Sequence, residues 1–235
     1  MEITYNNSIL NDNQRKEWVD YINSQIAEYD EGLNLIFQAH KENIHLKDTN
    51  PVLYSWINKL YSALKYVTII YGDILVMHKY YLSTSNNYEK RLFRGKTHIL
   101  LNEGFKKLYG FPGDKNKNKK QNTIWQDIEK ILQQISPSKI HDDYTSLTNE
   151  LEKLSTSFDW WKNERNLEVH LDPDKLVESR MKELNESKYM MESYEFIKLL
   201  EKAEQILYDI HTIYYNQYTS KKIICNTKII SNNSF

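Results

Sequence analysis

Asn50-Pro51-Val52-Leu53-Tyr54-Ser55-Trp56-Ile57-Asn58-Lys59-Leu60 opens a stretch in which Trp56, Leu60, Leu64, Val67, Tyr71, Ile74 and His78 recur every three or four residues. That spacing places one apolar stripe along a helix. Asn50 is a natural N-cap, and proline at the first helical position gives up no hydrogen bond that the helix needs. The polar run Ser83-Thr84-Ser85-Asn86-Asn87 closes the segment. A helix of some thirty residues with a wide apolar face must pack against other helices.

The neighbouring segments repeat the pattern. A first helix is predicted from about Asp12 to His45, with the stripe Trp18, Ile22, Ile26, Leu33 and Phe37. A third runs from Tyr88 to Tyr109 and stops at Gly110-Phe111-Pro112-Gly113. Helix resumes near Thr123, pauses at Ser136-Pro137, and continues from about Lys139 to Val169. Asp172-Pro173-Asp174 ends that run, because proline disfavours helix at the residue before it. A short helix to about Leu184 and a long one from Tyr189 to Tyr218 follow. Lys221 to Ile230 alternates weakly about Asn226-Thr227, which reads as either a short C-terminal hairpin or a free end. The expected fold is an all-α bundle of about six or seven helices. Residues 1–220 are read as one domain with an N-terminal helical extension, and residues 221–235 as a tail.

Composition narrows the function classes. The chain has 235 residues, 31 Lys+Arg against 32 Asp+Glu, and a formal net charge of -1. A near-neutral balance argues against a polybasic, histone-like protein. One cysteine cannot form an intramolecular disulfide, so a stapled secreted scaffold is excluded. Six Gly and four Pro are too few for a turn-rich sandwich or a linker array. The longest apolar run, Val67 to Met77, is interrupted by Gly72 and Asp73 and is too short to span a bilayer. The N-terminus lacks a basic segment followed by an apolar one, so the expected location is the cytoplasm, with no membrane partner.

Only five of the basic residues are Arg, and one of them belongs to the segment Arg165-Asn166-Leu167-Glu168-Val169-His170-Leu171-Asp172-Pro173. In an unbroken helix, residues five apart sit about 140° apart around the axis and do not converge. Pro173 ends the helix just after His170, which leaves the imidazole in the last turn, near the start of the next helix. Helix N-termini attract anions. A forked, permanently charged guanidinium, an imidazole that exchanges protons near neutral pH, and a polar Asn166 together suit a phosphate.

Arg165-Asn166 followed by three variable residues and His170 resembles the Arg, polar residue, three variable positions, His motif of the HEPN superfamily. These are all-α proteins of prokaryotic toxin–antitoxin and abortive-infection systems. The resemblance covers six residues directly. It implies metal-independent RNA cleavage without a cofactor, a homodimer that brings two motifs together, and a cognate antitoxin as partner. It also implies that Arg165 stabilises the phosphate, His170 moves a proton and Asn166 positions them. The alternatives are a non-catalytic helical module that binds RNA or protein, or a surface ion pair of Arg165 with Glu164 or Glu168.

Lys106, Lys107, Lys115, Lys117, Lys119 and Lys120 face only Asp114, and Asp114 to Asn122 has no apolar residue to bury, so it is read as an exposed loop. Lys115, Lys117, Lys119 and Lys120 are the expected RNA-phosphate contacts, unless the loop is merely solvated. Glu42 and His45 have the spacing of a helical metal half-site, but no second such pair exists, so no metal site is expected. His78 and His211 read as core histidines with one hydrogen bond each. Cys225 lacks a neighbouring base and is not read as a nucleophile.

Overall fold

A computed structural model describes residues 10–110, 123–133, 138–155 and 186–232. Among these there is no strand. Six helices of nine residues or more are present: α1 (Asp12–Glu42), α3 (Pro51–Ser83), α4 (Asn87–Leu108), α5 (Ile124–Leu132), α6 (Ser138–Ser155) and α7 (Glu186–Asn232). A 3-10 turn (Asn43–His45) and the single helical turn α2 (Leu46–Thr49) join α1 to α3.

Helix starts are set by local side chains. Asn11 and Gln14 form a reciprocal capping box: each side-chain oxygen accepts the other residue's backbone N–H at 3.0 Å. Thr123 and Gln126 do the same at the head of α5. The Asn50 side chain accepts the N–H of Leu53 at 3.2 Å, with Pro51 at the first position. Asn86 caps α4 through the N–H groups of Tyr88 and Glu89. At the other end of α4, Gly110 takes φ 105°, a conformation that a residue with a Cβ rarely adopts. Replacing Asn50 by Ala should cost about 1 kcal/mol of folding stability, read as a lower urea midpoint. An unchanged midpoint would mean that α2 alone positions the head of α3.

α3 is the hub. α1 packs antiparallel to it, stacking Tyr29 on Tyr71 (ring centroids 4.0 Å) and His40 on Tyr61 (5.3 Å). α7 also runs antiparallel to α3, with Tyr61 facing His211, Thr68 facing Glu204, Tyr71 facing Glu201 and His78 facing Ser193. α4 covers a third side: the Tyr66 hydroxyl reaches the Glu103 carbonyl and Tyr80 stacks on Phe93. α4 and α7 are parallel, joined by Thr97–Tyr189 and Phe105–Phe196. α5 and α6 meet where Trp125 stacks on Tyr144 at 4.7 Å and donates to Thr148. α6 is tied to α7 by the Lys202–Glu150 ion pair.

Being enclosed on three sides explains why α3 buries Leu53, Leu60, Leu64, Val67, Ile70, Tyr71, Ile74, Leu75 and Tyr81 rather than a narrow stripe. By length and composition α3 could cross a membrane, yet 56% of its most apolar window is buried inside the bundle. The hydropathy therefore belongs to a core helix. Residues from α1, α3, α4, α5, α6 and α7 share one buried core.

The structure changes three details of the sequence reading. Phe37 is 49% exposed, and Ile36 takes the buried place on α1. Intervals of four, four, three, four and three from Trp18 lead to position 36, whereas 37 lies a further 100° around the helix. Phe37 instead lies under the Lys65 ammonium, 4.3 Å from the ring centroid. Lys221 to Ile230, read as either a short hairpin or a free end, forms no hairpin, because α7 continues to Asn232. Asn226-Thr227 has no glycine to favour the positive φ of a tight hairpin, and extending an existing helix is easier than starting a new element. The last helix also starts earlier than expected, at Glu186.

Candidate functional site

Arg165, Asn166 and His170, with Trp160, Trp161, Asp172 and Pro173, lie outside the described residues, in the segment between Ser155 of α6 and Glu186 of α7. Lys115, Lys117, Lys119 and Lys120 likewise lie outside them, between Gly110 and Thr123. Of the lysines flanking that second segment, Lys106 pairs with Glu103 at 3.8 Å and Lys107 is exposed on α4.

The described residues form a different concave site. α1, α3 and α7 enclose a cavity of about 450 Å³. Ile22, Tyr71, Leu75, His78, Met190 and Ile197 make a buried floor. Trp18, Tyr21 and Tyr194 add aromatic walls, with Tyr21 (53%) and Tyr194 (37%) open to solvent. Gln14, Glu17 and Glu201 complete the lining.

The walls are held by hydrogen bonds across the helices. The Tyr71 hydroxyl donates to Glu201 at 2.9 Å, and the Tyr29 hydroxyl donates to Glu204 at 3.2 Å. Thr68 gives Glu204 a second bond at 3.0 Å. Burial and the adjacent carboxylates push both phenols well above the ordinary tyrosine range, so they stay protonated donors. Burial raises Glu204 above the usual carboxylate value, while the bonds from Thr68 and Tyr29 pull it back down.

His78 forms part of the cavity floor, with Nε2 2.7 Å from the Ser193 hydroxyl. The Ser193 hydroxyl also lies 2.9 Å from the Tyr189 carbonyl one turn back on α7, which ties the pair to the helix backbone. Burial holds the imidazole far below its ordinary value, at about 3, so it is neutral.

A second polar cluster lies toward the other end of α3. Lys65 donates to Nδ1 of His40 at 2.5 Å, which leaves Nε2–H to donate to Asn58 at 2.8 Å. Burial and then the Lys65 charge lower the His40 pKa. The Asn43 amide donates to the Tyr61 hydroxyl at 3.3 Å, and that hydroxyl lies 2.9 Å from Nε2 of His211. His78 is thus a core histidine with an identified partner, and His211 is a half-buried one bonded to Tyr61. His45 uses Nδ1 to bond the Glu42 carbonyl at 2.7 Å, so this side chain is engaged with its own turn. Among the described residues no cluster of three or more His, Cys, Asp or Glu is arranged to hold a metal ion.

Trp18, Tyr71 and His78 were visible in the sequence only as stripe residues. Glu201, Glu204 and Ser193 carried no sequence signal, because their partners lie more than a hundred positions away. Comparison with family models, with curated proteins and with solved structures found no match to this chain. The chain is therefore placed by its architecture, as an all-α helical bundle.

Proposed function

We propose that this protein is an HEPN-like, metal-independent endoribonuclease of a toxin or phage-defence system, working in the cytoplasm as a homodimer and controlled by a cognate antitoxin. The observation that carries the reading is the spacing Arg165-Asn166-x-x-x-His170 with Pro173 three residues beyond, set in a chain whose described part is entirely helical bundle. In this reading a ribose 2′-OH attacks the adjacent phosphorus and the 5′-oxygen of the next nucleotide leaves. His170 takes or returns the proton. Arg165 neutralises charge on the phosphoryl oxygens, and Asn166 orients the group. The products carry 2′,3′-cyclic phosphate and 5′-hydroxyl ends. Lys115, Lys117, Lys119 and Lys120 contribute salt-sensitive backbone contacts to the RNA.

The test is RNA cleavage in EDTA by the parent, Arg165→Ala and His170→Ala, with thermal melts to confirm folding. Each substitution should lower the rate by about 100-fold or more, the usual scale for losing a proton-transfer group or a charge stabiliser. Equal activity in all three, or none in any, removes the catalytic claim. The alternative, a non-catalytic RNA- or protein-binding module, predicts that Lys119→Ala/Lys120→Ala weakens binding while His170→Ala leaves it unchanged.

A further inference from the structure

The cavity between α1, α3 and α7 includes none of the residues assigned to RNA chemistry. At about 450 Å³ it falls in the range of small-molecule sites, roughly 300–1,000 Å³. Its lining has a definite electrostatic character. The charged groups among the described lining residues are Glu17 and Glu201, and neither lysine nor arginine joins them. The histidine in the floor is neutral and already bonded to Ser193. Four aromatic side chains, Trp18, Tyr21, Tyr71 and Tyr194, line the cavity.

Two of these rings are already set in place. Tyr71 is fixed by its stack on Tyr29 and its bond to Glu201, and Trp18 meets Tyr21 edge-on at 6.0 Å. Tyr194 already takes a cation, with the Lys198 ammonium 4.4 Å from its centroid. Burial first, then Glu201, Tyr194 and Glu28, raise the Tyr21 phenol.

We propose that this cavity is a binding site for an organic ammonium ion, its cationic head between the aromatic rings and the Glu17 and Glu201 carboxylates, its apolar body over Ile22, Leu75 and Ile197. Aromatic faces attract such a head through their quadrupoles, most strongly where water is partly excluded. The two carboxylates supply the long-range attraction and discriminate against anions. Fixed walls reduce the ordering cost of binding.

Calorimetric titration of the full chain with choline, benzyltrimethylammonium and 3,3-dimethylbutan-1-ol tests the site. The last is the uncharged carbon isostere of choline. At least one cation should bind saturably, and the isostere at least tenfold more weakly than choline where choline binds. Trp18→Leu and Tyr21→Leu should each weaken cation binding at least fivefold. Glu201→Gln, which still accepts the Tyr71 bond, should weaken it about threefold. Tyr21 is half exposed, so Tyr21→Leu decides the matter if Trp18→Leu does not fold. Failure of both cations to bind, equal binding of choline and its isostere, or unchanged binding by the folded variants overturns the proposal.

Discussion

Gly104→Val is expected to destabilise the bundle by about 3 kcal/mol, the upper part of the range for overpacking a tight core. Gly104 is buried on α4 where that helix crosses α3 and α7. A Cβ built there would lie 2.9 Å from Cγ2 of Ile70 and 3.2 Å from Cε1 of Phe196. Neither neighbour has room to yield easily. Ile70 is β-branched and held in α3, and Phe196 is fully buried against Phe105. Gly104→Ala gains about 1 kcal/mol of helix propensity and still meets the 2.9 Å approach, so a smaller loss is expected. Ile70→Ala combined with Gly104→Ala should then be less destabilised than the two single changes added together. Urea denaturation reads all of these. A Gly104→Val protein as stable as its parent would show that α3 and α4 separate without penalty.

Acid should weaken the fold steeply between pH 6.5 and pH 4. His78 and His98 are both held neutral, with pKa values lowered to about 3, His78 by burial and His98 by burial and then by the nearby Arg94 charge. In the unfolded chain each returns to about 6.5. Below that value the unfolded state binds protons that the native state refuses, so stability rises with pH across the window and is fully present above it. At pH 4 the penalty is on the order of 3 kcal/mol for each histidine. His40 and His211 are lowered as well and act in the same direction. Glu204 and Asp73, raised by burial, act in the opposite direction because the folded state protonates them first. His78→Gln isolates one of the two large effects: it can still bond Ser193 but does not titrate. Its stability should be lower at pH 7 and depend less on pH from 6.5 to 4. An acid limb of unchanged slope would show that His78 is not the responsible group.

The contrast between these two positions reflects how interactions are distributed along the chain. Asn50 before Pro51, Asn86 before α4 and Gly110 after it act within a few residues of themselves, so a reader of the sequence meets cap and helix together. The α3 stripe was equally legible, since its period is a property of the segment alone. Phe37 failed because the stripe of α1 drifts, and only packing on α3 shows which of Ile36 and Phe37 faces inward. The residues from Lys221 to Ile230 failed because strand propensity depends on a partner strand, and they remain in α7 instead.

The proposed RNA site was readable for the same local reason: Arg165 and His170 stand five residues apart. The cation cavity was not. Trp18 and Tyr21 come from α1, Tyr71 from α3, and Tyr194 and Glu201 from α7. Nothing in any one of these segments marks it as a wall. By itself, then, the sequence determined helical class, the main helix starts and one short motif, because each depends on contacts within a few turns. Only the tertiary structure decided that α3 is the hub, that His78 meets Ser193 and Tyr71 meets Glu201, and that four aromatic rings surround one space. Those outcomes require helices far apart in the chain to settle in one register, which buried packing and the satisfaction of buried polar groups select together.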